Sequence, residues 1–239
     1  MTYTIKNNKL NVSINSYGAE LNSIINNEGL HYLYEGNSTY WNFKAPILFP
    51  IVGRLRNKKY NYAGKFYEMN GHGFARISNF ELTTRFETSI TFTLSDNEET
   101  LKIYPFNFRL DIIYELINDI LSIKNIVQNT GKDVMYFSIG AHEGYNCPLI
   151  RGEEFTDYDI IFEKNETIGS QCMNISNGLR TGETYPLLND SNILPLKYDY
   201  FYTDAIMLIN QRSRKTTLKS RKSGKGVEVC FPDFPMLGI

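Results

Sequence analysis

At 239 residues the chain is long enough for one substantial core, and a single all-β domain over residues 1–239 is expected. Its 25 Lys and Arg against 26 Asp and Glu leave a formal charge of -1, which excludes the basic footprint of a nucleic-acid binder and favours a neutral or small charged ligand. Cys147, Cys172 and Cys230 lack Cys-x-x-Cys spacing, so neither a disulfide framework nor a thiolate zinc site is indicated. The start has no cationic-then-apolar leader and no later run reaches the ~18 apolar residues that span a bilayer, so a cytoplasmic protein without membrane contact is expected.

Aromatics make up 14% of the residues and fall in short segments broken by Asn, Gly, Asp or Pro, the pattern of many strands joined by turns. Leu10 to Ile14 alternates apolar with polar, Tyr17-Gly18-Ala19-Glu20 turns, and Leu21 to Ile25 returns as a hairpin arm. Ala45 to Arg54 is apolar but carries Pro46 and Pro50, which predicts a buried edge or crossing segment instead of a central strand. Asn61 to Tyr67 reads as two strand ends around Gly64. Arg109 to Leu116, Leu121 to Gln128 and Val134 to Ile139, separated by Asn118-Asp119 and Asn129-Thr130-Gly131, predict a three-strand meander that delivers His142 to a loop just past a strand end. No window keeps a helical period with a cap and a glycine stop, so no long helix is expected. The acidic positions Glu153, Glu154, Asp157, Asp159, Glu163 and Glu166 and the basic stretch from Arg212 to Lys225 are expected on solvated hairpin faces. The fold class is all-β.

The chemistry concentrates in two glycine-flanked loops, Gly71-His72-Gly73-Phe74-Ala75-Arg76 and Gly140-Ala141-His142-Glu143-Gly144-Tyr145-Asn146-Cys147-Pro148. Histidine exchanges a proton near neutral pH, and flanking glycines let backbone approach a ligand closely. For one such histidine the plain alternative is a ring that ties down a turn, but two similar settings strengthen the case for proton transfer. No dinucleotide fingerprint, Walker A loop or Gly-x-Ser-x-Gly elbow is present, which removes the usual signals of those chemistries. Neither histidine has a close-spaced second histidine, so no metal site is indicated. Two imidazoles, the guanidinium groups of Arg54 and Arg76, carboxylates such as Glu143 and Asp204, and many aromatic faces suit a sugar. For Arg76 the alternative is a salt bridge that orders the His72 loop.

The order of these pieces resembles the galactose mutarotase-like, aldose 1-epimerase family, in particular its bacterial hexose-mutarotase-like branch. The likeness is carried by Tyr17-Gly18-Ala19-Glu20-Leu21, the Pro46 to Arg54 segment, Asn70 to Arg76, the His142 to Pro148 loop, Tyr202-Thr203-Asp204-Ala205-Ile206 and Phe231 to Ile239, and it runs the full length. It implies a large antiparallel β-sandwich with a hexose in a cleft on one face, and interconversion of α and β anomers without a cofactor. A base takes the C1 hydroxyl proton while an acid protonates the ring oxygen; the ring opens, the C1–C2 bond rotates and reclosure gives the other anomer. The resemblance implies that His142 is the general acid, that His72 and Arg54 hold sugar hydroxyls with Arg76 beside them, and that Asp204 binds further hydroxyls.

Two departures stand out. Family members usually read His-Pro where this chain has His142-Glu143, and a carboxylate there is expected to raise the His142 pKa. The family also continues past a Leu-Gly-Ile segment to an Ile-Glu-Pro-like motif that holds the catalytic base, whereas this chain stops at Ile239. The expectation is a sandwich lacking its last strands, with an exposed sheet edge through which homodimers form and with little mutarotase activity from residues 1–239 alone; Glu143 and Glu228 are poor replacement bases. Two other readings stand beside this one: a hexose-phosphate mutarotase using Arg54 and Arg76 on the phosphate, and a non-catalytic carbohydrate-binding module.

Overall fold

A computed structural model describes residues 1–202 and 204–239; Thr203, within one of the quoted segments, lies outside the described residues. The chain divides into two compact units, 1–145 and 146–239. Almost all regular structure is antiparallel strand; besides short 3-10 turns, the described residues hold one α-helix, α1 (Glu98–Ile103), started by an Asn97 side chain that accepts the N–H groups of Glu99 and Thr100.

In the first unit, β1 (Thr2–Lys6), β2 (Leu10–Asn15) and β3 (Leu21–Asn26) form one antiparallel sheet. β4 (Ile47–Leu48) and the hairpin β5 (Lys59–Tyr62) and β6 (Lys65–Glu68) follow. β7 (Glu81–Arg85), β8 (Ser89–Ser95), β9 (Phe108–Ile117) and β10 (Ile120–Asn129) then form a second sheet in the order β10-β9-β8-β7, before β11 (Gly140–Ala141). Alternation decides what each strand buries: Phe108, Leu110, Ile112, Tyr114 and Leu116 of β9 turn inward with Ile90, Phe92 and Leu94 of β8, and they share one core with Val12, Ile14, Leu21 and Ile24. Burial of a side chain of this size contributes about 1.5–3 kcal/mol. The buried Tyr114 hydroxyl donates to the Ala19 carbonyl at 2.7 Å, so the core's phenol is satisfied across the two sheets.

The first hairpin, the Gly64 turn and the long pair β9–β10 match the sequence expectations. The third arm of the predicted meander does not form. Val134 to Ile139 forms no strand, and β10, beside which the third arm would lie, is an edge strand with β9 as its neighbour. Val134 and Tyr136 are exposed while Met135 and Ile139 are half-buried against the core, so the apolar alternation meets the core without meeting a partner strand.

In the second unit, β12 (Tyr158–Asn174) and β13 (Leu179–Pro195) make a long bulged hairpin; β14 (Met207–Ile209), β15 (Lys215–Ser220), β16 (Gly226–Cys230) and β17 (Met236–Gly238) follow, with sheet order β13-β12-β15-β16 and a separate β14–β17 ladder. Glu228 is exposed and pairs with Lys215 at 3.1 Å, as its strand position predicts. The acidic and basic runs are not simply solvated faces. β12 and β15 are neighbours, so Arg221 meets the buried Asp159, Lys222 meets Asp157, and Glu166 is 2% exposed beneath Arg212 and Ser213.

Candidate active site

Residues 45–54 are the spine of the site, and the two prolines explain why they make only the two-residue β4. On one side Leu48 and Ile47 pair with Gly140 and Ala141 of β11. On the other, the Phe49 carbonyl accepts the N–H groups of Phe74 and Ala75 at 2.9 and 3.1 Å. His142 follows β11 directly and His72 precedes the bonded Gly73-Phe74 pair, so one apolar segment sets both histidine loops side by side. Their rings are 6.0 Å apart between centroids and nearly perpendicular, at 87°.

The flanking glycines do something other than admit a ligand. Gly73 has φ +68°, and a Cβ there would lie 2.2 Å from the Phe49 carbonyl oxygen. A Cβ on Gly144 would lie 2.9 Å from Cζ3 of Trp41. Both positions are glycine because the protein packs on itself, which corrects the expectation of ligand approach at those two points.

His72 is locked by a reciprocal pair with Gly53: its own N–H donates to the Gly53 carbonyl at 2.8 Å, and the Gly53 N–H donates to Nδ1 at 3.2 Å. Nδ1 is therefore the acceptor, which assigns the proton of the neutral ring to Nε2. Burial first, then Arg76, His142 and Arg54, pushes the His72 pKa down to about 4.

His142 is exposed, with its ring against Trp41 at a centroid distance of 4.8 Å and an angle of 37°. Its pKa is lowered, chiefly by burial and further by Arg76, against an opposing backbone hydrogen bond. The expected upward shift from Glu143 is overturned. The Glu143 carboxyl is itself raised by burial, and its charge acts on the Tyr114 and Tyr145 phenols, away from the imidazole. Sequence adjacency put the charge one residue away without fixing where it points.

Arg76 donates from Nη2 to the Gly71 carbonyl at 2.9 Å and lies 4.9 Å over the Phe43 ring, so it orders the His72 loop through a carbonyl and a ring, not through a salt bridge. Its Nε is buried without a partner, and burial lowers its pKa against the opposing effect of Glu20. Glu20 is occupied in turn, accepting the Lys44 and Ala45 N–H groups at 2.7 and 3.0 Å. Arg54 is exposed, with Cγ 3.1 Å from where a Gly71 Cβ would stand. The first unit thus gathers Arg54, His72, Arg76 and His142. Asp204 lies in the second unit, exposed, at φ 93°, with Oδ1 accepting the Ala205 N–H at 2.9 Å. Sequence reasoning missed Trp41, Phe43 and Tyr34, which wall the site; the single tryptophan of the chain was the available signal. Among the described residues no three His, Cys, Asp or Glu side chains form a metal-ligand group.

This fold is that of the galactose mutarotase-like proteins. The aldose 1-epimerase family profile matches residues 1–238, and the chain belongs to that family. It is 40% identical over 245 residues to the plasmid-encoded protein LacX of Lactococcus lactis subsp. lactis, covering 99% of this chain and 82% of that one. Among solved structures it is similar to a galactose mutarotase related enzyme from Lactobacillus acidophilus, with TM-score 0.93 and 35% identity over 100% of this chain and 79% of that one. A galactose mutarotase-like protein from Lactobacillus casei gives TM-score 0.92 and 33% identity, over 100% and 82% of the two chains.

Proposed function

We propose that the protein binds a free hexose and interconverts its anomers, with His142 moving the proton at the ring oxygen and with His72, Arg54 and Arg76 holding hydroxyls. The observation that carries this is the perpendicular imidazole pair, 6.0 Å apart, beside a buried guanidinium nitrogen that lacks a partner. A polyhydroxyl ligand offers acceptors to such donors without adding charge. Protonated His142 donates to the ring oxygen as the C1–O5 bond breaks and the C1 carbonyl forms, and it recovers the proton on closure. A lowered pKa makes that imidazolium a stronger acid but a scarcer one at neutral pH. Glu20 accepts the backbone N–H groups of Lys44 and Ala45, and in this reading the C1 hydroxyl proton passes to solvent. Asp204 supplies further hydroxyl contacts in this reading.

A non-catalytic sugar binder is the second reading, favoured by the neutral resting state of both imidazoles. The hexose-phosphate reading ranks below both, because one terminal nitrogen of Arg76 already serves its own loop. Saturation-transfer exchange between α- and β-glucose and α- and β-galactose is the test. Acceleration above buffer that is lost in His142→Asn supports the enzyme; ring-proton shifts on binding with buffer-rate exchange establish the binder; no shift at tens of millimolar sugar removes both.

The reading extends to the whole chain as one domain, supported by a family profile that runs through both units. It includes a reducing, cytoplasmic setting, supported by three unpaired cysteines. It also includes self-association through a sheet edge, supported by β10, an edge strand of the second sheet that exposes Ile120 and Ile126; light scattering of the purified chain measures that association.

A further inference from the structure

We propose that Trp41 is the positioning residue for His142: its indole, on a backbone pinned at Asn37 and set between the Tyr34 and Phe43 rings, forms the wall that sets the plane of the imidazole for proton transfer. This deepens the function proposed above and rests on His142 being the group that moves the proton.

The backbone is pinned by short-range bonds. The Asn37 N–H donates to the Trp41 carbonyl at 2.9 Å, the Trp41 N–H returns to the Asn37 carbonyl at 2.7 Å, and the Asn37 side-chain oxygen takes the Thr39 N–H at 2.8 Å. The indole is nearly parallel to Tyr34, at 6.2 Å and 17°, and tilted against Phe43 at 6.4 Å. The histidine loop is tied to the same strap. The Gly144 N–H donates to the Lys44 carbonyl at 2.7 Å, and the Tyr34 N–H donates to the Gly144 carbonyl at 2.8 Å. Gly144 must lack a side chain for the indole to reach the imidazole, since a Cβ would meet Cζ3 at 2.9 Å. Indole and imidazole are thus registered through bonds on both sides of the contact, and a ring held 4.8 Å from a flat wall has few orientations left.

Rotation of an imidazole decides where its N–H points, and a proton donor out of line with the ring oxygen loses rate before it loses binding. Around His142 stand His72 and Arg76 on the facing loop and Trp41 on the strap, while the charge of neighbouring Glu143 acts on Tyr114 and Tyr145.

Trp41 is the only tryptophan, so its emission reports this contact directly. An imidazolium quenches indole more than an imidazole does. The wild-type emission is expected to fall in one step below the ordinary histidine pKa of about 6.5, and His142→Gln to abolish that step. By NMR, the His142 ring protons carry a ring-current shift that Trp41→Leu removes and Trp41→Phe largely keeps. In the anomer exchange assay Trp41→Leu lowers kcat about 10- to 100-fold with little change in KM, and Trp41→Phe recovers most of it. Circular dichroism checks that each variant is folded; should Trp41→Leu fail, Trp41→Phe and His142→Gln carry the spectroscopic comparison. An emission step that survives His142→Gln, ring protons unmoved by Trp41→Leu, or a Trp41→Leu variant that loses binding and rate equally would overturn the proposal. The spectroscopic readouts need no sugar, so a protein that catalyses nothing would sink the proposed function while the contact is still measured.

Discussion

Both units bury charge, and they do so in opposite ways. In the second unit the Glu166 carboxylate accepts the Arg212 N–H at 3.1 Å, the Ser213 N–H at 2.7 Å and the Ser213 hydroxyl at 2.7 Å, while Asp159 meets Arg221. Acceptors and donors are matched, and the arrangement serves the fold. In the first unit Arg76 keeps a buried nitrogen unpartnered, and burial, with the Arg76 charge beside it, disfavours the charged forms of both imidazoles. The second unit has an unsatisfied group too, the Gln211 amide, but that group is neutral and titrates nothing. Matched charge serves the fold, and in the proposed function the unmatched charge around the titratable rings is what a sugar would complete.

The comparison breaks most visibly at His142. His142→Asn should lower anomer interconversion by about 100- to 10,000-fold, the usual worth of general acid–base assistance, while sugar affinity changes far less; exchange rates and a binding titration on the same variant measure the two. At the matched site the expected damage is to stability. Glu166→Ala strands three donors, two of them backbone N–H groups, and should cost about 3 kcal/mol by chemical denaturation. If Glu166→Ala were harmless, the contrast between the two neighbourhoods would fail.

Much of this was legible in the sequence, for reasons that differ by residue. β2, β3, β9 and β10 were readable because alternation and Asn- or Gly-containing turns are local signals. Val134 to Ile139 misled because apolar content does not reveal whether a partner strand is present. The histidine loops stood out by composition, but the role of Gly73 and Gly144 depends on Phe49 and Trp41, far away in the chain, so spacing alone pointed to a ligand. Glu20 lay within a quoted motif without a role, since its partners are backbone groups at Lys44 and Ala45. Glu143 was misread for the same reason: a neighbour in sequence need not face its neighbour in space.

The pH dependence of stability separates the two neighbourhoods at smaller amplitude. His72 has its folded pKa lowered to about 4, whereas the unfolded chain titrates near the ordinary value of about 6.5. Between these values the unfolded state binds more protons. The contribution of His72 is therefore present in full above about pH 6.5, and it is lost as pH falls towards about 4. His72→Asn should show a shallower fall in melting temperature across that window than the wild type. On the proposed function, in which His72 holds the sugar in ground and transition states alike, the same variant should weaken sugar binding and turnover together. A parallel fall in the two melting curves would mean that the ring is not held neutral by its surroundings.

Glu143→Gln gives the smallest expected effect and the most direct test of where that carboxyl points. Its pKa is raised by burial, so at neutral pH the folded state carries the cost of holding a poorly solvated carboxylate, or of keeping it protonated. An amide of the same shape removes that cost, so the variant should gain stability over wild type as pH rises from the ordinary glutamate value of about 4.3 through the raised one, a gain that levels off above it. Its charge acts on Tyr114 and Tyr145 and not on the imidazole, so the Trp41 emission step that reports His142 should keep its midpoint. A midpoint that drops in Glu143→Gln would mean that the carboxylate does support the imidazolium, and it would return Glu143 to the proton-transfer machinery.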